Sequence, residues 1–246
     1  MIKAIILFTK LIIAAFIAIL LTSCNRSVNF GNGINGSGNI TTETRTITED
    51  FKSIDVSSGI ELILEQSDNK FISVKTDDNL QKLIITKVEN GVLIISSEKG
   101  YDTNDAPIVK VRMPAINGLE SSSGASILSK NTLITNNIVV KSTSGSEINI
   151  AVEADFITIE SSSGSSIEVS GKALKLETSS SSGSSIDAKK LMVNEVISQA
   201  SSGSNTEISP ILSLKGTASS GSSIDYYKRP NSIIKEENSG GSDSEN

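Results

Sequence analysis

The sequence predicts an all-β protein, specifically a parallel β-helix (β-solenoid) with about 20 residues in each coil. Three observations support this class. A Ser-rich motif that contains Gly and ends in Ile recurs at nearly constant spacing, and the stretches between its copies alternate between apolar and polar residues. The chain is also rich in Ile, Val, Ser and Thr, and its aromatic content of 4% provides few large side chains for a wide globular core.

The repeat is clearest between residues 119 and 230, where one copy reads Ser161-Ser162-Ser163-Gly164-Ser165-Ser166-Ile167. An early copy precedes this region, and a degenerate one follows it at Ser239-Gly240. The motif glycines are Gly59, Gly124, Gly145, Gly164, Gly183, Gly203 and Gly221. From Gly124 onward they follow one another at steps of 21, 19, 19, 20 and 18 residues. This spacing is long for a hairpin and fits one coil of a β-helix.

Each part of the motif has an expected place in the coil. Glycine is expected at a corner, where the backbone often needs a positive φ. The isoleucine that follows is expected to point inward, and coils stacked about 4.8 Å apart would then align these side chains in one ladder. The expected ladder is Ile127, Ile148, Ile167, Ile186, Ile208 and Ile224. Candidates for a second inward row, with a register open by one or two residues, are Leu133, Val139, Ile157, Leu174, Val193 and Leu212.

The serines of the motif have two interpretations. Small hydroxyl side chains can pack at a corner and hydrogen-bond to the backbone, or they can form a flat array that binds sugar or is glycosylated. Corner packing is the favoured interpretation, and the regular strands argue against a disordered Ser/Gly linker. Ile167 should accordingly be buried between Ile148 and Ile186. An aspartate in place of Ser165 should therefore destabilise the fold much less than an aspartate in place of Ile167.

The first residues predict export and lipidation. Lys3 and Lys10 precede a wholly apolar run from Leu11 to Leu21, which is typical of a signal peptide. The run ends in Leu21-Thr22-Ser23-Cys24, which resembles the lipobox of bacterial lipoproteins and implies cleavage before Cys24 and lipidation of its thiol. Asn25 follows, rather than an aspartate of the kind that retains some lipoproteins in the inner membrane, and no acidic run of the kind used for surface export is present. We expect an outer-membrane lipoprotein, with the periplasmic face favoured over the cell surface.

The pattern divides the chain into five segments. Residues 1–23 are the signal peptide, 24–39 the lipidated cysteine and a tether, and 40–118 an N-terminal β part that is continuous with the solenoid and caps it. Residues 119–230 are the Ser/Gly-repeat solenoid, and 231–246 a degenerate last coil with a polar tail.

Composition excludes several kinds of chemistry. Histidine is absent and Cys24 is the only cysteine, so one chain can form no Ser-His-Asp triad, no His-ligated zinc site and no disulfide. Of 22 basic and 28 acidic side chains, two lysines belong to the signal peptide, which leaves 20 − 28 = −8 for the mature chain and argues against nucleic-acid binding. We expect no catalytic residues, no metal and no cofactor.

A minor alternative is a polysaccharide-active β-helix enzyme, whose carboxylates would come from Asp77 and Asp78 or from Asp102 and Asp105. Asp77-Asp78-Asn79 lies in an evident turn, and no carboxylate cluster is expected to recur with the repeat.

Three segments resemble one known family. They are the opening Gly33-Ile34-Asn35-Gly36-Ser37-Gly38-Asn39, the stretch Phe51 to Leu62, and the Ser-Gly-Ser repeats that follow. Together they resemble the auto-transporter adhesin head GIN domain family of bacterial envelope lipoproteins, over about residues 33–225. The resemblance implies a right-handed parallel β-helix and carries no catalytic residues to this chain.

The expected function is that of a non-catalytic envelope lipoprotein. It would be held to the membrane by its lipid anchor and would present a solenoid face for adhesion or for binding a polysaccharide or protein partner. The alternative is a structural or assembly component of the envelope without a specific ligand. Sugar recognition favours aromatic platforms, and the tyrosines are only Tyr101, Tyr226 and Tyr227, which weakens the polysaccharide interpretation.

Replacing Cys24 tests the anchor. Cys24→Ala should move the protein from the detergent-requiring membrane fraction to a soluble exported fraction, because the acyl chains that hold it are lost. Immunoblots of fractionated cells would measure the shift, and a variant that stays in the membrane fraction would contradict lipidation at Cys24.

Overall fold

The computed structural model describes residues 33–245, so the predicted signal peptide and Cys24 lie outside the described residues. Within this range the chain is all-β, and it contains no helix that could span a membrane. The strands are β1 (Ile34–Asn35), β2 (Ile40–Arg45), β3 (Ser53–Val56), β4 (Glu61–Gln66), β5 (Phe71–Asp77), β6 (Ile84–Glu89), β7 (Val92–Ser97), β8 (Tyr101–Asp102), β9 (Ile108–Met113), β10 (Gly118–Ser121), β11 (Ser126–Ser129), β12 (Leu133–Ser142), β13 (Glu147–Ser161), β14 (Ser166–Ser180), β15 (Ser185–Ala200), β16 (Asn205–Ser219), β17 (Ser223–Tyr226), β18 (Ser232–Asn238) and β19 (Ser242–Glu245).

The strands stack in parallel register as successive coils, which confirms the predicted β-solenoid, with about seven turns of roughly 19 residues each. Face A contains the strand segments that precede each Ser-Gly corner: β7, β3, β10, the later halves of β12 to β16, and β18. Face B contains the segments that follow it: β9, β4, β11, the first halves of β13 to β16, β17 and β19. The far edge, opposite the corners, joins face B to face A within β12 to β16.

Each corner is a tight turn whose two central residues both have positive φ. In one coil these residues are Ser163 at 55° and Gly164 at 71°, and the N–H of Ser165 donates to the carbonyl of Ser162 at 3.3 Å. This is the geometry of a type I′ turn, in which glycine carries no steric penalty and serine does. The motif glycines with positive φ are Gly59, Gly124, Gly145, Gly164, Gly183, Gly203 and Gly221. The positive φ of the preceding serine was not foreseen.

The serine after the glycine stabilises this corner from inside. Ser165 is 2% exposed, and its hydroxyl accepts the N–H of Ser162 at 3.1 Å. The same hydroxyl lies 2.7 Å from the carbonyl oxygen of Ser142 in the preceding coil, to which it can donate. The expectation that Ser165 accepts an aspartate cheaply is therefore wrong, because the side chain points into the stack rather than to solvent.

The isoleucine ladder forms, with one change. Ile127, Ile148, Ile167 and Ile186 pair in register, and each is at most 1% exposed. Thr206 continues this row and Ile224 follows it, so the placement of Ile208 was wrong. Ile208 lies two residues further along its strand, paired with Ala188 and Tyr226. A threonine can take the inner position because its hydroxyl lies 2.8 Å from that of buried Ser180.

The second inward row is offset from its prediction. Val139, Leu174 and Leu212 are 40%, 55% and 44% exposed and belong to outward positions. The inward row on face A is Ile138, Ile157, Leu176, Val196 and Leu214. Val139 misses the row by one residue, and a shift of one residue in a strand reverses the direction of the side chain. Leu174 and Leu212 lie two residues before Leu176 and Leu214, in the gaps in strand pairing at the far edge.

The N-terminal part is interleaved with the repeat rather than placed before it. β3 pairs with β7 on one side and β10 on the other, and β4 likewise lies between β9 and β11. The coil that contains Gly59 is therefore second in the stack although it is first in the chain, and a boundary at residue 118 separates no structural units. Antiparallel strands cover this end: β6 on β7, β5 on β9 and β2 on β5.

The folded region also begins earlier in the chain than predicted. The segment 24–39 was expected to be a tether, yet Ile34–Asn35 forms β1 and pairs with β8. At the other end, β18 and β19 complete one more coil around a turn at Ser239 and Gly240, with φ of 50° and 78°.

Two neighbouring aspartate substitutions test the buried hydroxyl at the corner. Ser165→Asp should lower the free energy of unfolding by about 3 kcal/mol or more, because a carboxylate without a cationic partner would be buried beside carbonyl oxygens. Ser166→Asp, the matched control at an exposed position, should cost no more than about 1 kcal/mol. Denaturant melts followed by circular dichroism measure both values, and equal costs would contradict the inward orientation of Ser165.

Candidate functional site

A groove runs along the far edge of the solenoid, crossing coils between residues 134 and 211. Its floor is a column of small side chains, because Thr135, Ala154 and Ala173 align in register. With larger residues on both sides, the short side chains leave a depression of about 550 Å³.

One wall of the groove mixes apolar and charged residues. Ile134, Glu153, Lys172 and Met192 align along it, and the Nζ of Lys172 lies 3.1 Å from a carboxylate oxygen of Glu153. The opposite wall is also mixed and consists of Asn136, Asp155, Leu174, Asn194 and Ile211. The groove therefore offers both apolar contacts and hydrogen-bonding groups.

The apolar residues of the groove are unusually exposed. Ile134 is 66% exposed, Leu174 55% and Ile211 37%, and the neighbouring Leu212 is 44% exposed. Single exposed apolar residues are common on protein surfaces, but several that line one groove are typical of an interaction site.

The far edge is where variations in coil length are accommodated. The pairing of β14 with β15 shifts between Glu168 and Ser170, and that of β15 with β16 shifts after Ala188. Gly171 lies at this edge with φ of 118°, and a Cβ there would lie 2.1 Å from the carbonyl oxygen of Val152. Bulges of this kind redirect side chains, so the surface here is free to vary while the corners stay constant.

The acidic residues considered for catalysis serve a different role. Asp77 is 1% exposed and accepts the N–H of Gly38 and the hydroxyl of Thr103, each at 2.6 Å. Asp78 accepts the Ser37 hydroxyl and the Asn39 amide, and these two hydrogen bonds hold the pKa of its carboxyl below the usual value. Both carboxylates thus fasten the opening segment to the turn that follows β5.

Asn79 completes this attachment, since its side chain accepts the N–H of Ser37 at 3.0 Å and donates to the carbonyl of Asn35 at 2.7 Å. Asp102 and Asp105 line the adjoining cavity of about 310 Å³ together with Asp77. Within residues 33–245, no group of three or more acidic or cysteine side chains is placed to hold a metal ion.

A row of carboxylates on face B was missed by the sequence reasoning. The residue after each ladder position is acidic in successive coils, so that Glu168, Asp187, Glu207 and Asp225 align in register. The expectation that no carboxylate cluster recurs with the repeat was therefore wrong, and the Ile-Glu and Ile-Asp pairs of the motif were the signal for it.

Two lysines pair with three of the four carboxylates in this row. The Nζ of Lys189 lies 2.7 Å from Asp187 and 2.9 Å from Glu207, and these hydrogen bonds raise the pKa of the lysine. Lys190 pairs with Glu168 at 3.0 Å, and the hydroxyl of Tyr227 donates to Glu207 at 2.7 Å. Three members of the row are thus held in local ion pairs, and the fourth, Asp225, accepts the hydroxyl of Ser244 at 2.6 Å.

The tyrosines do not form a platform for sugars. Tyr226 is 4% exposed, and Tyr101 donates its hydroxyl to the carbonyl of Ser58, where burial raises its pKa. Neither these residues nor Tyr227 lines the groove.

Several solved structures of other proteins share this architecture. An adhesin from Bacteroides fragilis, described as putative, aligns with a TM-score of 0.81 and 19% identity, covering 87% of this chain and 100% of that structure. A protein from Parabacteroides distasonis described as a "putative lipid binding protein" aligns with a TM-score of 0.72 and 19% identity, at 87% and 100% coverage. A further adhesin described as putative, from Parabacteroides merdae, aligns with a TM-score of 0.70 and 18% identity, covering 88% of this chain and 100% of that structure. At these identities the likeness establishes a shared fold.

No curated protein shows significant sequence similarity to the chain. A family model described as "Putative auto-transporter adhesin, head GIN domain" matches residues 50–230 and so covers most of the sequence. The repeated Ser-Gly corners and the interleaved coil that contains Gly59 both lie within the matched range. The chain therefore belongs to the auto-transporter adhesin head GIN domain family.

Proposed function

We propose that this protein is a non-catalytic cell-envelope lipoprotein that binds a protein partner through the groove at its far edge. The observation that carries the proposal is the presence of exposed apolar side chains on both walls of the groove, above a floor of small residues; these side chains are Ile134, Leu174 and Ile211. Burying one such side chain against a partner contributes about 1.5–3 kcal/mol, so a few contacts suffice for specific binding.

The dimensions of the groove suit an extended polypeptide. It crosses five coils, and four spacings of about 4.8 Å give a length of about 19 Å, which five or six extended residues span. Apolar side chains of such a segment would meet Leu174 and Ile211, while Asn136 and Asn194 could hydrogen-bond to its main chain.

The charged side chains of the groove restrict further the kind of segment that can bind there. Glu153 is paired with Lys172, whereas Asp155 has no ion-pair partner among residues 33–245. A segment with apolar side chains and one Lys or Arg positioned at Asp155 would complement both features.

Other ligands fit the groove less well. A polysaccharide would gain from aromatic stacking, and the lining contains no aromatic side chain. An acyl chain, suggested by the description of the Parabacteroides distasonis protein as lipid binding, would leave the polar groups of Asn136, Asp155 and Asn194 without partners. A purely structural role would leave the exposure of Ile134, Leu174 and Ile211 unexplained.

The location proposed for this activity is the outer membrane, with the chain anchored through Cys24 and facing the periplasm in preference to the cell surface. The lipobox-like Leu21-Thr22-Ser23-Cys24 and the following Asn25 support it, as does membership of a family described as adhesins. Adhesion to a surface polysaccharide would need a different face of the solenoid and is the alternative.

A pair of leucine substitutions tests the groove. The soluble Cys24→Ala protein would be used to select ligands from a displayed library of random peptides, and the dissociation constants of the selected peptides would be measured by calorimetry. Leu174→Asp should weaken binding about 10- to 100-fold, because one buried leucine contact is worth about 1.5–3 kcal/mol. Leu128→Asp is the matched control on face B, where Leu128 is similarly exposed at 43%, and it should leave the affinity unchanged.

Two results would count against the proposal. One is that both variants bind the selected peptides as well as the parent protein does. The other is that no peptide is selected while vesicles of phosphatidylethanolamine and phosphatidylglycerol bind in a manner that depends on Leu174, which would identify an acyl chain as the ligand.

A further inference from the structure

The last coil carries charged side chains at positions that are otherwise in the core. Asp243 pairs in register with Ile224 and so continues the isoleucine ladder. Lys235 pairs with Gly216 and continues an inward row of face A that runs through Val140, Ile159, Thr178 and Ser198. A lysine and an aspartate therefore point into the end of the solenoid, where the preceding coils place apolar or small residues.

Asp243 is enclosed, whereas the Lys235 side chain, which is 32% exposed, reaches it from the solvent side. Asp243 is 5% exposed, and neither of its carboxylate oxygens has a hydrogen-bond partner. The Nζ of Lys235 lies 3.8 Å from one of them and 4.8 Å from the centre of the Tyr226 ring. Burial raises the pKa of Asp243 to about 6, and the nearby Glu237 and Asp225 raise it further while Lys235 opposes them.

The preceding coil has room for this arrangement. A Cβ on Gly216 would lie 1.9 Å from a carboxylate oxygen of Asp243, so any side chain there would displace the aspartate. The row to which Gly216 belongs shortens steadily toward this end, from isoleucine through threonine and serine to glycine. The space above the hydrophobic core is thus filled by the Lys235–Asp243 pair.

The position of the pair matters because it lies in the last coil of the described residues. Among residues 33–245, β18 and β19 each pair with another strand on one side only, which leaves a row of backbone donors and acceptors available to a further strand. Such edges are templates for association, and inward-pointing charges are one means of blocking it. At the opposite end the parallel strands are covered by antiparallel β2, β5 and β6.

We infer that Lys235 and Asp243 form a stop that prevents the end of the solenoid from pairing with the same end of a second copy of this chain. A second copy that docked on β18 and β19 would remove the water that now solvates the ammonium of Lys235 and would bury it beside Asp243, whose carboxylate lacks hydrogen bonds. Replacing the charges by apolar side chains of similar size would continue the ladder to the surface and create an apolar, self-complementary end. This inference is independent of the groove and of its ligand.

The test is the oligomeric state of the Cys24→Ala protein, measured by light scattering after size exclusion. The parent should be monomeric, and the double variant Lys235→Met, Asp243→Leu should double in apparent mass. The matched control Glu236→Met, Ser244→Leu places similar apolar side chains on the outward positions of the same two strands, and it should remain monomeric.

The milder variant Lys235→Met, Asp243→Asn retains the side-chain shapes, and it should also associate, if more weakly. If the first variant does not retain the circular-dichroism spectrum of the parent, the oligomeric state of this milder variant is measured instead. Monomeric behaviour of the folded variants, or equal association of the outward control, would overturn the inference.

Discussion

The structure depends on one recurring interaction, the buried serine hydroxyl inside the Ser-Gly corners from Gly145 onward to Gly203. Ser146, Ser165, Ser184 and Ser204 are each 2% exposed. Each hydroxyl accepts an N–H of its own turn and lies 2.7–3.0 Å from a carbonyl oxygen of the preceding coil. One small side chain thus closes the turn and joins two coils, which offsets the cost of a serine held at positive φ.

This corner determines where the molecule can vary. Because the corners repeat with nearly constant geometry, with Gly145, Gly164 and Gly183 each donating to the serine carbonyl of the next corner at 3.1 Å, differences in coil length must be absorbed elsewhere. They are absorbed at the far edge, where the register shifts and where Gly171 turns the chain. The groove lies at that edge, so the proposed recognition surface belongs to the side of the solenoid that is able to vary.

The two ends of the stack use different physical solutions to the same problem. A parallel solenoid must terminate its sheets without offering its edges to other chains. At the N-terminal end the chain folds back as antiparallel strands and inserts its first coil between two later ones, while Asp77, Asp78 and Asn79 fasten the opening segment. At the C-terminal end the core itself becomes polar, first through Thr206 and Ser198 and finally through Lys235 and Asp243.

The sequence by itself determined the repeat, the class of fold, the positive φ of the motif glycines and most of the isoleucine ladder. It could do so because a glycine corner and an alternating strand each depend on local backbone geometry. Only the tertiary structure decided which serines of a nearly uniform Ser-Ser-Ser-Gly-Ser-Ser string are buried, since Ser165 and Ser166 differ in nothing but their direction from the backbone. The same holds for the order of the first coils and for the groove, because the alignment of Ala154 with Ala173 and the place of Gly59 in the stack arise from pairing between residues distant in the chain.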